Sequence, residues 1–310
     1  VTTNLFPIGS AQNGPQLTVN DILKDPAVVP LRILAMLDQM FIADQLLRKG
    51  PMADAGVVKF HQSTPLFAAT STALVGEFGE IPVGVNEIGA LLLTQTNKRG
   101  LGVRISVEMA NRNNIDAVNL QITQVRNTMV RDWDAVFMAA LLAAASGSGH
   151  GVAASVDWSQ STASTRKDIA EAIYQVVSSQ APNTTDGDEF MGFKPDTLVL
   201  NIADVVNMVG NDDTWKAFVG NVADQSTAVT GKLPNRLFGL DVWQTWHVPA
   251  GTALVLERQT VGFISDERPL QATPTRWIPD NESWRSDCIR QSAIGIDQPL
   301  AVCPITGIAP

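Results

Sequence analysis

The amino-acid sequence predicts an α+β fold organised around one long helix, and three observations carry that reading. An unbroken amphipathic helix pattern runs from Asn111 to Ser146. Just before it lies an extended, breaker-rich stretch, Gly76-Glu77-Phe78-Gly79-Glu80-Ile81-Pro82, then Lys98-Arg99-Gly100 and Val103-Arg104-Ile105-Ser106-Val107-Glu108-Met109. After it, short helix and strand patterns mix as far as residue 250, and a strand-rich tail closes the chain. A compact enzyme rarely commits its largest helix and a projecting polar hairpin to its own core, whereas an assembling subunit uses both.

Each element follows from local pattern. Residues 1–25 are polar and turn-rich, with Pro7, Gly9, Gly14 and Pro15, and read as an extended arm. Pro30 suits a first helical turn, and Ile33, Leu34, Leu37, Phe41 and Leu46 predict one helix ending at Lys49-Gly50-Pro51. In residues 56–109, Val103, Ile105, Val107 and Met109 alternate with Arg104, Ser106 and Glu108, the period of a half-buried strand. Gly76, Gly79, Pro82, Gly84 and Gly89 make the middle a long hairpin, a β-tongue whose tip supplies no core.

In the long helix the stripe is Ile115, Val118, Ile122, Val125, Met129, Trp133, Val136 and Ala140, widened by Phe137, Leu141 and Leu142. Asn113 or Asn114 can cap it, and Asp116 complements the helix dipole. Residues 146–151 form a Gly/Ser linker. Thr165 with Asp168 predicts a capped helix from Arg166 to Ser179. Thr197–Leu200 reads as a strand, Asn201 with Asp204 as a helix start, and Leu237–Val248 and Ala253–Leu256 as strands joined at Pro249-Ala250-Gly251-Thr252. Gly262–Ser265, Trp284–Ala293 and Ala301–Ile305 complete a β-rich tail.

Composition bounds the function. With 310 residues, 45% hydrophobic and only 17% charged, the chain supports a substantial core but carries fewer charges than the roughly 25% of ordinary soluble domains. Partners are expected to cover much of its surface. Twenty-two basic against 31 acidic residues give a net charge of −9, with no Lys/Arg block longer than two, so tight nucleic-acid binding is not expected. An acidic wall can still enclose a polyanion without holding it. No secretory signal or membrane-spanning run is visible, and the expectation is a soluble product of the cytosol. The leading Val1 points to a non-standard start or a trimmed terminus. Cys288 and Cys303 fit neither a redox pair nor a zinc site and read as two buried thiols rather than a disulfide.

Chemistry-bearing patterns are weak. Ser146-Gly147-Ser148-Gly149-His150-Gly151 lacks the Gly-Lys-Ser/Thr ending of a phosphate loop and follows a helix, not a strand. His61, His150 and His247 form no metal-ligand spacing, and His247 is expected opposite Trp246 on its strand. Asp212-Asp213 and Asp186-Gly187-Asp188-Glu189 lack the cation-loop pattern. No catalytic, cofactor-binding or metal residue is therefore expected, and no cofactor.

Two of these segments also carry a resemblance. Glu77-Phe78-Gly79-Glu80-Ile81-Pro82 and Lys98-Arg99-Gly100-Leu101-Gly102-Val103-Arg104-Ile105-Ser106-Val107-Glu108, in the order arm, tongue, long helix, α/β lobe and β-tail, resemble the major capsid proteins of tailed phages with the Hong Kong 97-type fold. The run Arg290–Gly307, with Pro299-Leu300-Ala301-Val302-Cys303, resembles that family's ending. The resemblance implies an N-terminal arm over 1–50 and an extended loop over 51–110. It implies a peripheral domain with a spine helix over 111–160 and 255–290, and an axial domain over 160–255 and 291–310. It further implies self-assembly into hexamers and pentamers forming an icosahedral head around double-stranded DNA, without sequence-specific binding or membrane contact. Portal and decoration proteins, assembly in the host bacterial cytoplasm and residence in the virion follow from the same likeness.

Two departures matter. Some members carry a long charged N-terminal scaffolding segment that this arm lacks, which implies a separate scaffold or prior cleavage. Lys59 and Lys98 are the lysines of the loop region, and neither aligns with a cross-linking position. The rivals are an encapsulin-like shell around cargo enzymes and a soluble enzyme.

Overall fold

The computed structural model describes residues 19–37, 40–53, 55–64, 67–68, 70, 72–84, 88–180, 189–211 and 236–309. The polar segment 1–18 and the acidic turns at 186–188 and 212–213 lie outside the described residues. The described N-terminal part comprises α1 (Val19–Lys24), a helix where the pattern predicts an extended arm as far as residue 25, then α2 (Val28–Leu37), α3 (Ile42–Leu46) and the short strand β1 (Arg48–Lys49). Where the pattern predicts one helix, the backbone is extended at Phe41 (φ −80°, ψ 122°) and restarts. A tertiary contact is responsible. The Asp134 carboxylate of the long helix accepts the Ile42 N–H at 3.1 Å, a cap that Phe41 cannot supply.

β2 (Val57–Gln62) and β3 (Ala90–Gln95) form the antiparallel root of the tongue, Val57 opposite Gln95 and Gln62 opposite Ala90. β4 (Asn97–Ser106) follows, and the strand predicted to reach Met109 stops at Ser106. The Ser106 hydroxyl accepts the Met109 N–H at 3.2 Å and so caps α4 (Val107–Asn111), turning Val107 and Met109 onto a helix. Arg112–Asn114 then break the predicted unbroken helix. Asn113 adopts φ +51°, tolerable for Asn, and its side chain accepts the Val19 N–H at 2.7 Å, tying down the arm. Asn114 caps α5 (Ile115–Gly147) through the Ala117 N–H at 3.2 Å.

The 33 residues of α5 reach about 50 Å. Its predicted stripe holds from Val118 to Trp133 and then shifts: Val136 and Ala140 are half-buried, while Phe137, Met138, Leu141 and Ala145 are buried. Steps of four residues rotate the buried face by about 40° each. That rotation carries the helix between two cores. Val118–Trp133 pack with Ile33, Leu37, Phe41, Val103 and Ile105, whereas Phe137–Ala145 pack with residues of the α/β lobe.

That lobe contains β5 (Val152–Ala153), α6 (Thr165–Val177), β6 (Thr197–Leu200), α7 (Ile202–Gly210), β7 (Arg236–Leu237), β8 (Leu240–Gln244) and β9 (Thr252–Leu256). The cap predicted at Thr165 falls one residue inside α6. Ser164 stands at the N-cap, and Asp168 instead accepts the Trp158 indole N–H at 2.9 Å inside the core. Asn201 does cap α7, through the Ala203 N–H at 3.0 Å. The tail adds β10 (Phe263–Ala272), β11 (Arg276–Ile278), a 3-10 turn at Pro279–Asn281, β12 (Ser283–Gly295), a second turn at Pro299–Ala301 and β13 (Val302–Thr306).

One sheet runs β5-β13-β9-β6-β8-β7, with β6 parallel to β8 and antiparallel to β9. The strands predicted to join at residues 249–252 therefore flank β6 instead of pairing, and Trp246 and His247 fall in a turn beyond the end of β8. The other sheet places β12 between β4 on one side and β10 with β11 on the other, and β1 adds parallel to β10. Residues from both ends of the chain thus support α5. Cys288 and Cys303 are free, buried thiols in separate sheets.

Candidate assembly surfaces

The tongue is held firmly at its root and nowhere else among the described residues. Phe60 meets Phe263 edge-on with ring centroids 5.2 Å apart. The Thr94 hydroxyl donates to Ile294 C=O at 3.0 Å, Gln62 Nε2 to Ile296 C=O at 3.1 Å, and the Thr96 hydroxyl to Glu267 at 2.6 Å. Gly89 is required here, because a Cβ would lie 2.0 Å from the Gln62 carbonyl oxygen. Beyond the root the chain forms a turn closed by the Gly79 N–H on Gly76 C=O at 2.9 Å, with Phe78 at φ +66°.

Its side chains face solvent. Phe78 is 102% exposed and Ile81 73%, and Leu74, Val83, Ile88, Leu91 and Leu93 are exposed with them. Apolar surface on this scale marks an interaction site, since each Å² left in water costs about 25 cal/mol. Beyond its root the tongue has the composition of an interface, and its described residues form no core.

Where the arm, α5 and the five-stranded sheet meet, one arginine organises the junction. The Arg290 side chain is only 5% exposed and pairs with Asp44 at 2.6 Å and Asp266 at 3.2 Å. Its guanidinium also lies 5.2 Å from the Phe41 ring and 5.4 Å from the Trp133 ring. Burial alone would lower its pKa, but hydrogen bonding and charge from Asp44 and Asp266 outweigh that and raise it. Asp134, beside this cluster, is pushed up to about 7, first by burial and further by Asp44, against the backbone N–H groups of Ile42 and Ala43. Sequence pattern missed this clasp. The available signal was an arginine on the inward face of a strand, between Cys288 and Ser292.

Along the flank of α5, Met40, Val130, Arg131, Ala135, Trp246 and His247 border an open groove of ≈ 600 Å³. Burial, then the neighbouring Arg131, lowers the His247 pKa. His150 is likewise lowered by burial at the end of the Gly/Ser linker. Burial raises the Cys288 thiol to about 11 and the Cys303 thiol to about 12, leaving neither activated as a nucleophile. Among the described residues there is no group of three or more His, Cys, Asp or Glu side chains able to hold a metal, and no helix long and apolar enough to cross a membrane.

The profile of a family described as phage capsid protein matches residues 91–305. No curated protein matches the chain. Among solved structures, the capsid of cyanophage P-SCSP1u superimposes with a TM-score of 0.62 at 14% identity, over 87% of this chain and 89% of that one. A phage-related protein from Bordetella bronchiseptica RB50 gives 0.58 at 14% identity, over 95% and 99%. A virus-like particle from Pyrococcus furiosus gives 0.56 at 8% identity, over 89% and 97%. At such identities the likeness is one of fold.

Proposed function

The chain belongs to the phage capsid protein family and is a shell-forming structural subunit of the virion, and from that premise we propose how it builds the shell. Copies gather as hexamers and pentamers and close into the icosahedral head of a tailed phage around double-stranded DNA. The exposed apolar tongue carries this reading: Phe78, Ile81 and their neighbours need cover that their own subunit does not provide among the described residues. Many modest contacts repeated under closed symmetry suffice for a stable shell. The net charge of −9 favours a container that does not grip its polyanion.

In this proposal residues 1–50 are the arm and 51–110 the extended loop. Residues 111–160 and 255–290 form the peripheral domain, and 160–255 with 291–310 the axial domain. The two sheets support a division of this kind, with β12 as far as Gly295 beside the N-terminal half of α5 and β9 from Thr252 in the other lobe. A separate scaffold, a portal and decoration proteins are the further partners proposed, with assembly in the host cytoplasm. A cargo shell of the encapsulin kind would share the fold, and the match to a phage capsid family favours the head.

The Ile81→Asp variant tests the tongue. It is expected to fold with an unchanged thermal melt and to fail to form shells in size-exclusion chromatography. Shells at wild-type yield would remove the tongue from the interface.

A further inference from the structure

The five-stranded sheet has two faces, and the described residues cover only half of the outer one. Residues 286, 288, 290 and 292 of β12 point to α5 and the arm and are buried, so 285, 287, 289 and 291 point the other way. At the Gly295 end the outer face is covered by the root of the tongue, where Val58 and Phe60 pack on Phe263 and Ala293. At the Ser283 end no described residue covers it. There the strand register sets Arg104 of β4 opposite Arg285 of β12, and Arg285 opposite Arg276 of β11. Residues directly opposite share a face, so Arg104, Arg285 and Arg276 form a row on adjacent strands whose backbones lie about 4.8 Å apart.

Asp287, two positions along on the same face, pairs with Arg285 at 2.6 Å and with Arg276 at 3.2 Å. It stays close because β4 has Gly102 opposite it, where a Cβ would fall 2.3 Å from the Asp287 carboxylate. Arg104 has no side-chain partner among the described residues, and Arg276 remains 60% exposed. The row keeps a net charge of +2: three arginines less one aspartate. Repeated like charge on an open sheet face calls for an acidic counterpart.

We propose that the Arg104–Arg285–Arg276 row receives the acidic tongue tip of a neighbouring copy, with Glu77 and Glu80 as the counter-charges. The tip carries a charge of −2 on two exposed carboxylates within one turn, matching the row, and neither has an ion pair among the described residues. Exposed Phe78 and Ile81 flank them and give the contact its apolar part. A phosphate polymer fits less well, because it would meet Asp287 at the centre of the row on an acidic chain. The proposal rests on the shell-forming reading and adds the surface on which the tongue lands.

Charge exchange tests it on the full chain. Arg104→Glu with Arg276→Glu, and separately Glu77→Arg with Glu80→Arg, are each expected to lower the yield of shells about tenfold at low ionic strength, and the four changes together to restore it to within about threefold of wild type. A combined variant no better than its parents, or either pair assembling at wild-type yield, overturns the proposal. So does a pair that assembles normally and loses only encapsidated DNA, which would assign the row to phosphate. Should the arginine pair melt early, Arg104→Glu alone, which breaks no side-chain hydrogen bond or ion pair among the described residues, repeats the exchange with Glu77→Arg. Failure of wild type to form shells would instead count against the shell-forming reading itself.

Discussion

Asp134 shows how one residue couples two segments that are far apart in sequence. Its carboxyl, held at about 7 against an ordinary 3.8, caps the restart of the arm at Ile42 while lying near Asp44. Because the folded value is raised, the fold binds a proton that the unfolded chain releases. The stabilisation is fully present below 3.8 and is lost as pH rises through about 7. Asp134→Asn removes that titration. Thermal melts from pH 4 to pH 8 are therefore expected to show the variant gaining on wild type as pH rises, by on the order of a few kcal/mol. A constant gap across that range would show that the carboxyl is not held protonated. The apolar spacing around Phe41 reads as one continuous helix, and only the folded chain brings Asp134 to the point where it breaks.

At the scale of elements, local pattern was informative wherever an element's own sequence sets its limits. Thr197–Leu200, the α7 start at Asn201 and the stripe Val118–Trp133 were legible because period and caps are encoded within a few residues. Alternation continued to Met109 although the strand stops at Ser106, since a serine hydroxyl capping a helix outweighs two further alternating positions. Thr165 and Asp168 resembled a cap until Trp158 took the carboxylate. Pairing across β6 was illegible, because non-consecutive strand order leaves no local trace. The division of labour between elements is testable. Trp133→Ala empties a buried site on α5 beside Arg290 and is expected to lower subunit stability by about 3–5 kcal/mol in denaturant titration. A loss below 1 kcal/mol would mean that α5 does not hold the arm and sheet together through Trp133.

On the whole-molecule scale, the described residues form two large cores joined by one helix, with a small third cluster of Ala53, Val58, Phe263 and Ala293 at the root of the tongue. The tongue, the helix and their order were readable in the sequence because breakers and apolar period survive without tertiary context. The arginine row was not, since Arg104, Arg276 and Arg285 are separated by as much as 181 positions and meet only through strand register. Both surfaces bear on the same claim, that this subunit is completed by other copies of itself. Cryo-electron microscopy of the purified full-length protein, imaged across a range of concentration and salt, addresses that claim most directly. Closed icosahedral shells, with density for one subunit's tongue lying on its neighbour, are the expected result. A chain that stays monomeric under every condition, without rings or shells, would contradict it.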